Sequence, residues 1–341
     1  MKKIFYSIFI SFICCTLVSS RLAAQEKLHY WGDSDTFLQE QASVIIDEAY
    51  KVLAIHPPGP TVSSERRLAL FALDALFHDT RLDNGSAFMT YMDRIIGNMA
   101  AELRKSKPTG SEIRFFRFYN HGFIIQTPGV TIGIDLVRGG RADNPFISES
   151  LMRSIVDQCD ILFITHAHGD HTDLSVAKMF CEQGKNVIVP EEIWKDMGPQ
   201  LRVVRGTDMI RETIHIPAKN ISLTVHVYPG NQGNVLNNVY SIALPEGKTI
   251  THTGDQDFSD DLVAKINGNL KTDILLVQCW MMPMEKFVSG IKPALVLTGH
   301  ENEMLHTIDH RESYWLTFRR MSEVKAPYVV MAWGESYVTG K

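Results

Sequence analysis

Apolar positions along residues 33–107 recur at steps of three and four, the spacing of one face of an α-helix. Leu38, Ala42, Ile45, Ala49, Val52 and Leu53 form the first such stripe. The segment His56-Pro57-Pro58-Gly59-Pro60 must end that helix, because proline removes a backbone donor and fixes φ. Ser63 or Ser64 then offers an N-cap for a second helix with Leu68, Phe71, Ala75 and Leu76 on its apolar side. Phe88, Met92, Ile95, Met99 and Leu103 mark the buried face of a third. Residues 105–111 are polar and contain Pro and Gly, as a linker does. Three helices of this size either form a small bundle or dock their apolar faces on the C-terminal part of the chain.

Beyond the linker the period shortens to that of strands. Apolar stretches at 113–118, 123–127 and 130–137 are separated by the turn residues Asn120, Gly122, Pro128 and Gly129, which predicts an antiparallel meander. Short apolar runs at 161–164, 187–189, 274–277, 295–297 and 328–331 then alternate with helical patterns at 173–182 and 310–321. That alternation is the mark of a layered α/β fold. No internal repeat stands out.

Composition changes this picture in few places. With 341 residues, 45% hydrophobic and 21% charged, the chain has the make-up of a folded protein with a large core. Its 39 acidic side chains outnumber 34 basic ones, so there is no general positive field for a polyphosphate backbone, and nucleic acid is not an expected partner. At the start, Lys2 and Lys3 precede an uncharged apolar run at 4–18, then Ser19, Ser20, Arg21, Ala23 and Ala24. This predicts a secretory signal over residues 1–25, cleaved near Ala24 or Gln25, and an exported protein that is periplasmic or secreted. The run falls short of the roughly 20 residues that span a bilayer, so no stable membrane span is expected after cleavage. Cys159, Cys181 and Cys279 would remain, and none has a CxxC partner or an adjacent activating histidine.

The chemistry is concentrated in Thr165-His166-Ala167-His168-Gly169-Asp170-His171, a loop that comes after an apolar strand and precedes a helix capped by Thr172 or Asp173. Histidines two apart on extended backbone point the same way and can grip one ion, while the Asp and His after the turn face a second. His252-Thr253-Gly254-Asp255 succeeds another short strand, and Leu297-Thr298-Gly299-His300 ends a third.

These elements together resemble the metallo-β-lactamase fold superfamily, with the likeness extending over about residues 113–335. The resemblance implies an α/β fold, an αββα sandwich at 112–341 preceded by a small helical region at 26–111. It implies one or two divalent metal ions, zinc in the first place and manganese as an alternative. His166 and His168 would hold the first, Asp170, His171 and His300 the second, and Asp255 would bridge them. Asp170 and Asp255 are the residues expected to act in catalysis, Asp170 by orienting a metal-activated hydroxide. The implied function is an exported metal-dependent hydrolase of a small-molecule ester, lactone or phosphodiester. The layout is similar to the branch of ascorbate-6-phosphate lactonase and the phospholipase D that releases N-acylethanolamines.

One departure from the family pattern concerns the first ion. The family supplies a third histidine where this chain has Tyr228-Pro229-Gly230-Asn231-Gln232-Gly233, and Gln232 holds the position. An amide oxygen suits zinc poorly and tolerates manganese better. Either Gln232 completes a weak site, or His226 is brought round by a bulge, or one metal remains. The last reading leaves a mononuclear enzyme, and the missing histidine also leaves open a metal-binding sensor or scaffold without turnover. Among the other histidines, His121 is either an ordinary turn residue or, as the resemblance implies, a neighbour of the active-site mouth, His252 either packs beneath the metals or ligates, and His306 and His310 have solvent-exposed or capping roles. Trp280, Met281, Met282 and Met284 either line an apolar pocket or fill the core.

Overall fold

The computed structural model describes residues 33–339 apart from 106, 192, 195–200 and 205–209; the expected signal segment at 1–25 lies outside the described residues. Three helices come first: α1 (Ser34–Ile55), α2 (Ser64–Phe77) and α3 (Ser86–Lys105). Ser63 is the N-cap of α2, its hydroxyl accepting from the Arg66 N–H at 3.1 Å. Helix α3 buries the predicted Phe88, Met92, Ile95, Met99 and Leu103.

Helix α2 is rotated from the expected face. It buries Ala69, Leu70, Leu73 and Phe77, and Leu68 is 70% exposed. The cause is two charged residues on the buried side. Arg66 binds the carboxylate of Glu335 and the Val330 carbonyl, and Asp74 accepts from Asn302 Nδ2 and from the Tyr314 and Trp315 N–H groups. A burial pattern read from apolar residues alone cannot anticipate charges that are satisfied by partners more than 200 residues away.

Two sheets make up the rest of the chain. Strands β1 (Arg114–Arg117), β2 (Phe123–Gln126) and β3 (Thr131–Ile134) form the antiparallel meander. A tight hairpin of β4 (Gly140–Arg141) and β5 (Asn144–Pro145) and helix α4 (Glu149–Val156) lead to β6 (Ile161–Phe163), which pairs parallel to β3. Helix α5 (Leu174–Glu182) connects β6 to β7 (Asn186–Pro190), and β8 (Leu201–Val204) extends the parallel part.

The second sheet opens with four antiparallel strands, β9 (Ile210–Ile216), β10 (Ile221–Gln232), β11 (Val235–Ala243) and β12 (Thr249–His252). It continues in parallel through α6 (Asp260–Asn269), β13 (Ile274–Gln278), α7 (Met284–Ile291), β14 (Leu295–Gly299), α8 (Tyr314–Met321) and β15 (Tyr328–Val329). Strand β16 (Ser336–Val338) returns to the first sheet beside β1.

Alternation along the strands divides the core into layers. Phe115, Phe123, Ile125, Ile161 and Phe163 of the first sheet meet Val225, Val227, Ile250, Ile274 and Leu276 of the second. The residues between them face the other way, as period two requires. Phe116, Ile124 and Leu162 pack with α1 to α5, and Leu275 and Val277 pack with α6 and α7. The N-terminal helices therefore dock on the first sheet and share its outer core. Among the described residues no helix is long and apolar enough to cross a membrane.

Candidate metal centre

Parallel strands release their chain at one sheet edge, and ligand groups collect at such carboxyl ends. Here the loops after β3, β6, β12 and β14 meet at the seam between the two sheets. The Asn238 N–H donates to the Thr165 carbonyl at 2.8 Å, and an isolated bridge pairs His166 with Asn237. The seam thus binds the end of β6 to β11.

Two donor groups form there. Asp170, His171, Asp255 and His300 offer ligand atoms that lie within 4.8 Å of one another, and His166, His168 and Asp255 do the same. Asp255 belongs to both. Its Oδ2 lies 3.2 Å from His171 Nε2, 3.2 Å from His300 Nε2 and 3.8 Å from His166 Nε2. The buried His166 Nε2, His300 Nε2 and Asp255 Oδ1 have no hydrogen-bond partner among the described residues. Buried nitrogens and carboxylate oxygens normally find partners, and several converging without them fit a cation.

A residue that the sequence pattern did not single out aims these ligands. Asp135 comes directly after β3 and is completely buried. Its carboxylate accepts from His171 Nδ1 at 2.8 Å, from the Thr165 N–H at 2.8 Å and from the Thr165 hydroxyl at 2.7 Å. The Thr165 hydroxyl in turn accepts from His166 Nδ1 at 3.0 Å. Both imidazoles therefore carry the proton on Nδ1 and turn Nε2 inward. Asn120 acts similarly on Asp170, donating from Nδ2 to Oδ2 at 3.0 Å and to the backbone oxygen at 3.1 Å, and its own carbonyl accepts the His300 N–H. Asp135, Asn120 and His300 have φ of 48°, 51° and 74°. Left-handed backbone at a non-glycine residue costs on the order of 1 kcal/mol or more and persists where surrounding structure enforces it. The signal available in the sequence was an Asp closing the apolar strand 130–134.

Electrostatics favour added positive charge. Burial alone would depress the His171 and His300 imidazoles, but Asp255 and Asp170 outweigh it; His171 is held well above its usual value and His300 is raised to about 10. Burial pushes His166 down to about 3, helped by His171, so it stays neutral. Burial would raise Asp170 and Asp255, yet the neighbouring histidines hold both well below the carboxylate range. The three carboxylates around His171 make a net negative site, in which a divalent ion would replace protons.

The remaining histidines and Gln232 divide between the site and its surroundings. Gln232 ends β10, and its buried Oε1 has no hydrogen-bond partner among the described residues. His226 belongs to neither donor group; Val225 and Val227 face the inter-sheet core while Tyr228, on the side of His226, packs in the outer layer. His252 packs: Nε2 donates to the His121 carbonyl at 3.1 Å and Nδ1 accepts from the Gly254 N–H. Of the two readings of His121, the turn residue fits its position. It is fully buried, its ring centre 4.2 Å from that of His252, and a side chain at Gly299 would collide with it. The turn that carries His121 folds under the site because the Asn120 backbone is tied to His300.

His306 is partly exposed and bonds the carbonyl that ends the turn 308–310, and it also stands beside the site. Glu303 accepts from the His306 N–H at 2.7 Å and from Tyr119 Oη at 2.7 Å, which draws the loop over the site. The ring hydrogen-bonds the His310 carbonyl through Nδ1, leaving Nε2 3.8 Å from Asp170 Oδ2 with the side chain 36% exposed. His310 remains exposed. Trp280 sets its ring edge-on to His300 at 6.1 Å, whereas Met281 and Met284 are core residues and Met282 is exposed.

No family model matches the chain. It is 29% identical over 213 residues to a UPF0173 metal-dependent hydrolase of Thermodesulfovibrio yellowstonii, spanning 54% of this chain and 73% of that one. In structure it is similar to Igni18, a metallo hydrolase of Ignicoccus hospitalis, with TM-score 0.51 and 18% identity over 67% of this chain and 99% of the other. A possible metal-dependent hydrolase of Veillonella parvula gives TM-score 0.50 and 13% identity over 66% and 98%. These likenesses show an α/β, metallo-β-lactamase-like fold of two mixed sheets, and on it histidine and aspartate side chains converge in a site that fits metal ions.

Proposed function

We propose that the protein is an exported hydrolase that works with two divalent ions on a small ester, lactone or phosphodiester. The observation that carries the reading is the sharing of Asp255 between two donor groups. His166, His168 and, through its amide oxygen, Gln232 would hold one ion; Asp170, His171 and His300 would hold the other. When bound, such ions lower the pKa of water and polarise the oxygen of a carbonyl or phosphoryl group.

The chain's own groups supply the geometry. Asp135 fixes the imidazoles of His171 and His166, Asn120 holds Asp170, and Asp170 is positioned to accept a proton from an attacking water. His306 Nε2 stands at the opening, where it can hydrogen-bond a substrate oxygen. Trp280 gives the same opening an aromatic edge beside His300, which suits an acyl or other apolar portion and supports the lactonase and phospholipase branch. Zinc is the first candidate for the second group; the amide at the first favours manganese or weaker zinc binding. Export rests on the sequence of residues 1–25.

Metal analysis of the purified protein, followed by a screen of esters, lactones and phosphodiesters with and without chelator, tests the reading. Reversible loss of turnover on chelation is expected. Full turnover by metal-free protein would refute it, and mature protein beginning at Met1 in a cytosolic fraction would refute export.

A further inference from the structure

We infer that a basic cleft beside the metal loop binds an anionic group, a carboxylate or phosphate, carried by the substrate at a distance from the bond that is cut. The cleft has a volume of about 470 Å³ and is lined by Arg138, Gly140, Arg141, Gly169, Thr172 and Lys178, among others. Gly169 stands between His168 and Asp170, one from each donor group, so the cleft adjoins the metal centre without containing any of its ligands.

Its charge is the reverse of the chain's net −5. Asp173, the one carboxylate on the lining, is fully engaged: Oδ2 accepts from the Arg138 N–H at 3.1 Å, and Oδ1 accepts from the Ser175 N–H at 2.9 Å and its hydroxyl at 2.6 Å. Arg141 is paired with Asp143 at 3.3 Å. Arg138 and Lys178 make no ion pair among the described residues.

Arg138 is also preorganised. Its N–H is held by Asp173, its carbonyl accepts from the Ile147 N–H at 3.0 Å, and its Nε donates to the Ile147 carbonyl at 2.8 Å. The stem is thereby fixed while both Nη groups keep no protein partner among the described residues. A guanidinium held this way presents parallel donors to a carboxylate or phosphate at little further entropic cost. Gly139 and Gly140, with φ of 64° and 69°, let the β4–β5 hairpin turn tightly enough to wall the cleft; a side chain at Gly140 would meet the Asn144 carbonyl.

That the anion belongs to a substrate rests on the hydrolase reading; binding of an anion by the cleft does not. Calorimetric titration of metal-loaded and chelator-treated protein with methylphosphonate and with glutarate therefore separates the two. We expect one of these probes to bind in both forms of the protein. Lys178→Glu and Arg138→Gln should each weaken that binding by about tenfold or more, with metal content unchanged. Lys325→Glu, a charge reversal that does not line the cleft, should leave it as it is. Which probe binds identifies carboxylate or phosphate as the group. Binding of neither probe, or equal binding by wild type and Lys178→Glu, would overturn the assignment. Given turnover, Lys178→Glu should raise KM for mono-4-nitrophenyl succinate while sparing 4-nitrophenyl butyrate and kcat for both. An enzyme that hydrolyses nothing would count against the hydrolase and not against the cleft.

Discussion

His171 gives its Nδ1 to the buried carboxylate of Asp135 at 2.8 Å and presents Nε2 to Asp255 at 3.2 Å. The same carboxylate holds Thr165, and through it His166, so one residue outside either donor group sets the aim of a ligand in each. Asp135→Asn should lower metal affinity by about 10- to 100-fold, the usual effect of losing a carboxylate behind a ligating histidine. Competition with a chromogenic chelator measures it. Unchanged affinity would mean that packing, not Asp135, orients the rings.

Asp255→Ala and His171→Ala should each abolish activity and lower bound metal, because each removes a donor for which no neighbour can substitute. Asp255→Ala should affect both ions and His171→Ala mainly one. Metal analysis of both variants beside their far-UV circular dichroism separates lost ligation from lost fold. Full metal content in Asp255→Ala would rule out a shared carboxylate.

The parts of this site that could be read in advance are those in which neighbouring residues act together. The loop 165–171 carries four of its donors within six residues, and a strand before it with a helix after it fixes its direction. His226 belongs to neither donor group and shares its side of β10 with Tyr228, which packs in the outer layer. What escaped were relationships set by loops that meet only in three dimensions. Asp135 and Asn120 look like an ordinary strand end and turn, and His306 acquires its position from Glu303 and Tyr119, the latter 187 residues distant in sequence. Helix α2 shows the same limit in the core, since Arg66 and Asp74 are buried by partners that periodicity does not reveal.

The helical region is integral to the hydrolase fold in this arrangement. Arg66 is 1% exposed and its partner Glu335 lies next to β16, so the pair ties α2 to the far end of the chain. Arg66→Ala leaves a carboxylate without its cation and should cost about 3–5 kcal/mol of stability. Urea unfolding followed by circular dichroism checks this. A fragment starting at residue 112 should be insoluble, because it would uncover Trp333 and Phe146, which pack on Phe77 and Phe88 of the removed helices. A soluble, metal-binding fragment would show that the helices are dispensable.

Gln232→His should raise zinc affinity at the first group. The amide Oε1 has no hydrogen-bond partner among the described residues, and imidazole nitrogen is the better zinc donor. The wild type should hold fewer than two tightly bound zinc ions and gain the second on substitution, with manganese dependence reduced. Two equally tight zincs in the wild type, and no gain in the variant, would show that His166, His168 and Asp255 suffice.

Trp280 is the one member of the 280–284 segment whose ring contacts a site residue, standing 6.1 Å from His300, while Met281 and Met284 are committed to the core. Any acyl preference of the substrate should therefore depend on Trp280 and not on the methionines. Trp280→Ala should raise KM for long-chain acyl substrates several-fold and leave acetyl substrates little changed, because a short acyl group does not need the ring's buried area. His306→Ala should act on short and long substrates alike, since a hydrogen bond to the reacting group is common to both. The comparison is kcat/KM for a short-chain phosphodiester, an acylated phosphodiester, an aliphatic lactone and a chromogenic cephalosporin in wild type and both variants. Fastest turnover of the cephalosporin would overturn the substrate class. An unchanged chain-length profile in Trp280→Ala would remove the apolar edge and leave the metal chemistry untouched.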